Sequence, residues 1–257
     1  MTEFENTYLI QTKKINMKLR TATLVVKGAK IGEGKTEPCR AVVRVDGSDM
    51  AVILKEISLP AVAAECFAAL LLREWGLKVP EPILVDINGV LAFGSAELTY
   101  PSLHQKFQYE LIPDELKQQV LAHMANIIRQ WKQTPFAITV DEVIGNKDRN
   151  IGNILWDGGE PYFIDHERCF NLVNLEDMNK LAELSKIGAG DVNEILQAAV
   201  TAAQTLTLGV MQEVETETAH LDTKSYSDYI KLRMPHLVMM VLNRFPQPQD
   251  LLSETVQ

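Results

Sequence analysis

The sequence predicts an α+β protein built as two lobes. An antiparallel β N-lobe with one helix occupies residues 1–100, and a mainly helical C-lobe occupies residues 101–257. Three observations carry this reading. Apolar and polar residues alternate between turn signals through most of the first hundred positions. One long apolar stretch, AVAAECFAALLL, interrupts that alternation. From Asp114 onward the apolar residues recur at helical spacing.

Residues 21–57 read as three strands. TATLVV leads into a glycine-bearing connection, KGAKIGEGKTE, and CRAVVRV and MAVILKEI flank Asp46-Gly47. That dipeptide suits a two-residue hairpin turn, whose central residues both need positive φ. SLPAVAAECFAALLLREWG frames a helix, with Ser58 as N-cap, Pro60 in the first turn and Gly76 past the end. VPEPILVDINGVLAFGSAEL supplies two more strands about Asn88-Gly89, so the five strands are expected to form one antiparallel sheet.

In the second half, PDELKQQVLAHMANIIRQW places Leu116, Val120, Met124, Ile127 and Trp131 at helical spacing. Segments near 175–187, 190–215 and 224–244 also read as helical. Residues 139–170 read as irregular, apart from a short hairpin, ILWDGGEPYFI, turning at Asp157-Gly158-Gly159. The tail over about 246–257 is expected to fray.

The chain has 257 residues, 46% of them hydrophobic, and a net charge of −9. These values exclude a disordered or fibrous design. The acidic balance argues against general binding to nucleic acid or anionic membranes. Residues 1–36 run the other way, with seven Lys or Arg against three acids. That region suits an anionic small molecule, or is simply a solvated strand pair. Cys39, Cys66 and Cys169 are too scattered for a disulfide framework or structural zinc. No apolar leader and no membrane span is expected, and a reducing cytoplasm is the expected location.

The chemistry concentrates in DEVIGNKDRNIGNILWDGGEPYFIDHE. Asp148 and Asn153 stand five positions apart on a loop with Gly145 and Gly152, and Asp165 follows the apolar run Tyr162-Phe163-Ile164. A carboxylate at the end of a buried strand needs a partner such as a cation. Asn and Asp offer hard oxygen ligands suited to Mg²⁺ holding phosphates. The hairpin could bring Asn153 and Asp165 to one metal, leaving Asp148 to orient an attacking hydroxyl. His166, next to Asp165, is expected at the cleft, and Cys169 is expected to be accessible. Cys66 reads as core.

A second signal is independent. Glu65 is the only charged residue between Ile57 and Leu72, on a helix apolar on nearly every face. An ionised Glu there requires a cation. Alternation puts Lys55 on the same strand face as Ile53 and Ile57, which is unusual for a solvated lysine. A Lys55–Glu65 ion pair at a cleft resolves both oddities. The alternative is a snorkelling Lys55 with Glu65 at the helix rim.

A strand Lys, a helix Glu, an Asp-x-x-x-x-Asn loop and a later strand-end Asp recur together in the protein-kinase-like fold. IGNKDRNIGN resembles the catalytic loop of phosphatidylinositol 3/4-kinases, and also that of HipA-like bacterial serine/threonine kinases. FIDHE stands where those families have Ile-Asp and variable residues. The chain's size and N-lobe pattern resemble the HipA-like enzymes more closely, over roughly residues 21–170.

The resemblance implies a bilobal kinase using ATP and Mg²⁺. Lys55, held by Glu65, would contact the α/β-phosphates. Asp148 would be the catalytic Asp, and Asn153 and Asp165 would ligate Mg²⁺. The connection from Gly28 to Gly34, including Gly32, would cover the triphosphate. Glu97 and Leu98 would meet the adenine through backbone groups. The implied acceptor is a protein Ser/Thr hydroxyl, in a toxin–antitoxin or regulatory setting with a protein partner. A lipid or small-molecule acceptor, a nucleotide-binding pseudokinase and an unrelated metal-dependent hydrolase are the alternatives. Asn150 replaces the usual His after the catalytic Asp, and Asp-His-Glu replaces Asp-Phe-Gly.

Overall fold

The computed structural model describes residues 18–31 and 36–246. Five strands, β1 (Arg20–Lys30), β2 (Cys39–Val45), β3 (Ser48–Lys55), β4 (Pro82–Ile87) and β5 (Val90–Ala96), close into a barrel in the order β1-β2-β3-β5-β4. All five were expected, but β1 runs on through Gly28 to Lys30, into what was expected as the connection, and the sheet is not wholly antiparallel. β1 pairs with β4 in parallel, Arg20 to Thr23 against Ile83 to Asp86. The reason is topological. Four successive antiparallel pairings round the ring return β4 to the direction of β1, so the fifth, closing pairing has to be parallel. Both tight turns take the expected form, with positive φ at Asp46 and Gly47 and at Asn88 and Gly89.

Inward-facing residues fill the barrel, among them Val43, Val52, Leu54, Ile83 and Val85. Helix α1 (Leu59–Glu74) lies outside it and is buried without a break from Val62 to Leu72. One side of α1 packs on β4 and β5, whose outward residues Leu84 and Phe93 join its core. The same apolar core runs on into the helices of the second half, including Met124, Ile138 and Val143. This is why the helix is apolar all round.

The second half begins with a short turn of helix, α2 (Leu103–Lys106), closed by a reciprocal capping box between Ser102 and Gln105. Then come α3 (Asp114–Gln130) and α4 (Thr134–Ile144). α4 corrects the expectation of irregular chain from residue 139. Its β-branched residues have modest helix propensity, and every residue from Ala137 to Ile144 is buried, so no solvent-facing stripe betrays it. Strands β6 (Ile154–Leu155) and β7 (Tyr162–Phe163) form the expected hairpin.

Helices α5 (Lys180–Ile187), α6 (Val192–Thr205), α7 (Met211–Glu217), α8 (Lys224–Arg233) and α9 (Leu237–Leu242) complete the fold. The segment expected as one helix over 190–215 breaks after Thr205, where Leu206 is extended and buried. The expected 224–244 helix is likewise split by a short 3₁₀ turn, Met234–His236, containing Pro235. No helix among the described residues is long and apolar enough to cross a membrane. Gly32, Gly34 and the tail from 247 lie outside the described residues.

Candidate functional site

Lys55 ends β3 and Glu65 sits one turn into the buried part of α1. Lys55 Nζ lies 2.6 Å from Glu65 Oε1 and 2.5 Å from Asp165 Oδ1. The snorkelling alternative is thereby excluded: the Glu65 side chain is only 1% exposed and that of Lys55 13%. Burial alone would lower the Lys55 pKa, but the carboxylates of Glu65, Asp165 and Glu167 outweigh it and raise it. Burial likewise pushes Glu65 up, while Lys55 and His166 pull it down further, so the pair is ionised.

Asp165 follows β7 with a left-handed backbone, φ 68°, which asparagine and aspartate tolerate better than most residues. That conformation turns its carboxylate to Lys55. The next residue does not line the cleft as expected. His166 is 1% exposed, and its backbone N–H and Nδ1 both meet Glu65 Oε2, at 2.9 and 3.3 Å. Burial lowers its pKa, which keeps the ring neutral. Cys169 is also fully buried rather than accessible, and burial raises its thiol pKa. Cys66 is core, as expected.

The loop after α4 is built around Arg149. Its side chain is buried and makes a two-pronged bond to Asp141, Nε to Oδ2 at 3.1 Å and Nη2 to Oδ1 at 2.9 Å. Its remaining donor, Nη1, bonds the Ile164 carbonyl at 2.6 Å. Arg149 therefore anchors the loop to the residue preceding Asp165. Asn146 reinforces this, donating to Asp141 Oδ1 at 3.0 Å and accepting the Asp148 N–H at 3.2 Å. Asn150 turns its side chain back on the loop, accepting the Gly152 N–H at 2.7 Å.

Asn153 is held at the same place. Its Nδ2 donates to the Asp148 carbonyl at 2.9 Å, leaving Oδ1 as the acceptor atom, and its own carbonyl accepts the Ile164 N–H at 3.1 Å. The loop and the strand end carrying Asp165 are thus stitched together through Asn153 and Arg149. Asp148 carries two cations that sequence reasoning missed. Lys180 bonds its Oδ1, and Arg168 Nη1 lies 3.0 Å from its Oδ2.

Glu167 was also missed. Glu65, Asp165 and Glu167 offer carboxylate oxygens within 4.8 Å of one another. Glu167 Oε2 is buried, without a hydrogen-bond partner among the described residues, and 3.5 Å from Lys55 Nζ. Burial raises the Glu167 pKa. Glu65 is committed to Lys55, so the hard oxygens left to suit a divalent cation of the Mg²⁺ kind are those of Asp165, the orphaned Glu167 atom and Asn153 Oδ1. A signal for Glu167 did exist: the acidic residue two places after Asp165 shares its segment.

Just past the end of β5, the Glu97 N–H donates to the Ala51 carbonyl at 3.1 Å, and its side chain pairs with Arg40 at 2.6 Å. Glu97 continues the β5 edge against β3. Leu98 follows it, half-buried.

No family model matches the chain, and no curated protein does. Solved structures do match, 253 chains of them. One is a Helicobacter pylori proinflammatory kinase, CtkA, at 12% identity and a TM-score of 0.53, covering 86% of this chain and 96% of that one. The chain has a kinase-like fold. Within the kinase-like fold the five strands form a closed barrel, and Lys55, Glu65 and Asp165 meet between that barrel and the helical half.

Proposed function

We propose that this protein is an ATP- and Mg²⁺-dependent kinase that transfers the γ-phosphate to a hydroxyl acceptor, most directly a protein Ser or Thr as in the HipA-like enzymes it resembles. In this reading the barrel is the N-lobe of a bilobal kinase and the helical half its C-lobe. One observation carries it. Lys55 Nζ contacts Glu65 at 2.6 Å and Asp165 at 2.5 Å, joining two signals read independently in the sequence, the Lys55–Glu65 pair and Asp165, across 110 positions.

Lys55 would hold the α/β-phosphates, with Glu65 fixing the ammonium. Asn153 Oδ1 and the Asp165 carboxylate would hold Mg²⁺, which supplies charge neutralisation for the phosphates when bound. As the acceptor oxygen bonds the γ-phosphorus, its proton passes to Asp148. The bond from γ-phosphorus to the bridging oxygen breaks, and ADP leaves. The Glu97 N–H is taken by Ala51, so the Glu97 carbonyl and the Leu98 backbone are the groups offered to adenine. Catalysis of this kind is mostly positioning and electrostatics.

The test is incubation of the protein with γ-labelled ATP and a cell extract, followed by separation of protein, lipid and soluble fractions. Label is expected on protein Ser or Thr. Asp148→Ala and Asp165→Ala are each expected to abolish it, and Asp165→Ala also to weaken the thermal shift given by Mg·ATP. Wild-type turnover in both variants would overturn the reading. A Mg·ATP thermal shift without turnover would favour a pseudokinase.

A further inference from the structure

The transferring phosphoryl group needs positive charge on the acceptor side of the cleft as well as on the nucleotide side. The loop that carries Asp148 has two basic residues, and neither serves. Arg149 is 1% exposed, with its donors on Asp141 and the Ile164 carbonyl. Lys147 turns away, donating to the Leu175 carbonyl at 3.2 Å and lying 3.9 Å from Asp177. Lys55 is held on the far side by Glu65 and Asp165. Two cations sit directly on the Asp148 carboxylate, Lys180 and Arg168.

They are not equivalent. Arg168 is strung between two carboxylates, with Nη1 3.0 Å from Asp148 Oδ2 and Nε 3.9 Å from Glu167 Oε1. Lys180 pairs with Asp148 alone, and its side chain is 40% exposed. Lysine is a compact point charge on a flexible stem, able to turn from one oxygen to another without breaking a planar fork. It also sits one hydrogen bond from the carboxylate that receives the acceptor's proton. The phosphoryl oxygens must therefore arrive within its reach.

We propose that Lys180 is a catalytic residue of this reaction: its ammonium swings from Asp148 onto the γ-phosphoryl oxygens, while Arg168 stays on Asp148 as a positioning residue. This rests on the kinase reading above. Release of Lys180 frees Asp148 Oδ1 to take the acceptor hydroxyl in the same movement. One side chain thereby couples the arrival of the phosphates to the readiness of the base.

The test compares binding of Mg·ADP with and without aluminium fluoride, which mimics the phosphoryl group in flight, together with labelled-ATP turnover. Wild type is expected to bind Mg·ADP more tightly when fluoride is present. Lys180→Ala is expected to lose at least about tenfold of that enhancement and about 10²- to 10³-fold in turnover, with Mg·ADP affinity unchanged. Lys180→Arg is expected to restore part of both. The substitution is mild for folding, because α5 is capped by Asn179, which accepts the Ala182 N–H at 3.0 Å. A full fluoride enhancement in Lys180→Ala would overturn the assignment, as would an equal loss of Mg·ADP affinity. A wild-type protein that binds no Mg·ADP at all would overturn the kinase reading, and the assignment with it.

Discussion

The Glu65 carboxylate reaches His166 with one oxygen and Lys55 with the other: Oε2 accepts the His166 backbone N–H at 2.9 Å, while Oε1 accepts Lys55 at 2.6 Å. A single side chain on α1 thus fastens β3 to the segment just past Asp165. Breaking a buried pair by removing one partner costs about 3–5 kcal/mol, because the other charge is left uncompensated. Glu65→Ala is expected to lose stability on that scale, and Glu65→Gln less, since the amide keeps the His166 bond. Denaturant unfolding measures both. Equal midpoints for wild type and Glu65→Ala would refute the account.

Arg149 and Asp141 form the second buried pair, each side chain 1% exposed. Arg149→Ala and Asp141→Ala are each expected to destabilise by about 3–5 kcal/mol. The double variant should cost clearly less than the two together, because neither charge is then stranded. A double-mutant cycle showing simple additivity would mean the pair does not act as a unit.

Gly145 ends α4 with φ +67°, a conformation that side chains rarely adopt. A methyl group there would also run into the Tyr229 hydroxyl. Gly145→Ala is expected to destabilise by about 1–3 kcal/mol. Adding Tyr229→Phe should recover part of that loss by removing the obstructing oxygen. Melting temperatures of the single and double variants decide the matter, and no recovery would place the whole cost in the backbone.

Tyr226 stacks on Phe170 with ring centres 4.7 Å apart and donates its hydroxyl to the Pro60 carbonyl at 2.9 Å. Burial raises its pKa, with Asp222 adding to the effect. The unfolded tyrosine ionises at about pH 10. The folded state therefore holds the proton longer than the unfolded one, and stability is full below that pH and falls as pH rises through it. Tyr226→Phe is expected to lose about 1 kcal/mol at pH 7 through the missing hydrogen bond, yet to show a flatter decline above pH 10. A decline as steep as that of wild type would assign the alkaline loss to other groups.

The barrel strands and the Lys55–Glu65 pair were legible because each broke a local pattern: paired turn residues between alternating runs, and a lone charge in an apolar helix. The loop with Asp148 and Asn153 was legible from the order of its polar residues. α4 was not, because a helix buried on all sides shows no periodicity, and its β-branched residues argue weakly for strand. The parallel pairing of β1 with β4 depends on ring closure, which no single segment encodes. His166 and Cys169 were misplaced for a related reason. Burial of a residue next to a functional one is decided by contacts with α1 and the Arg149 pair, far away in the chain. Lys180 and Arg168 escaped notice because a lysine at a helix start looks like any solvated charge until its partner is seen.

The ring of strands has a practical corollary. Only the first four residues of β1 pair with β4, and the ladder from Leu24 to Lys30 pairs with β2, with Lys27 also held by Glu56. β3, with Lys55 at its end, is gripped on both edges by β2 and β5. β2 in turn pairs with β3 along its whole length, so the strand that carries the lysine is clamped in the middle of the ring, and the far end of β1 is its most loosely tethered part.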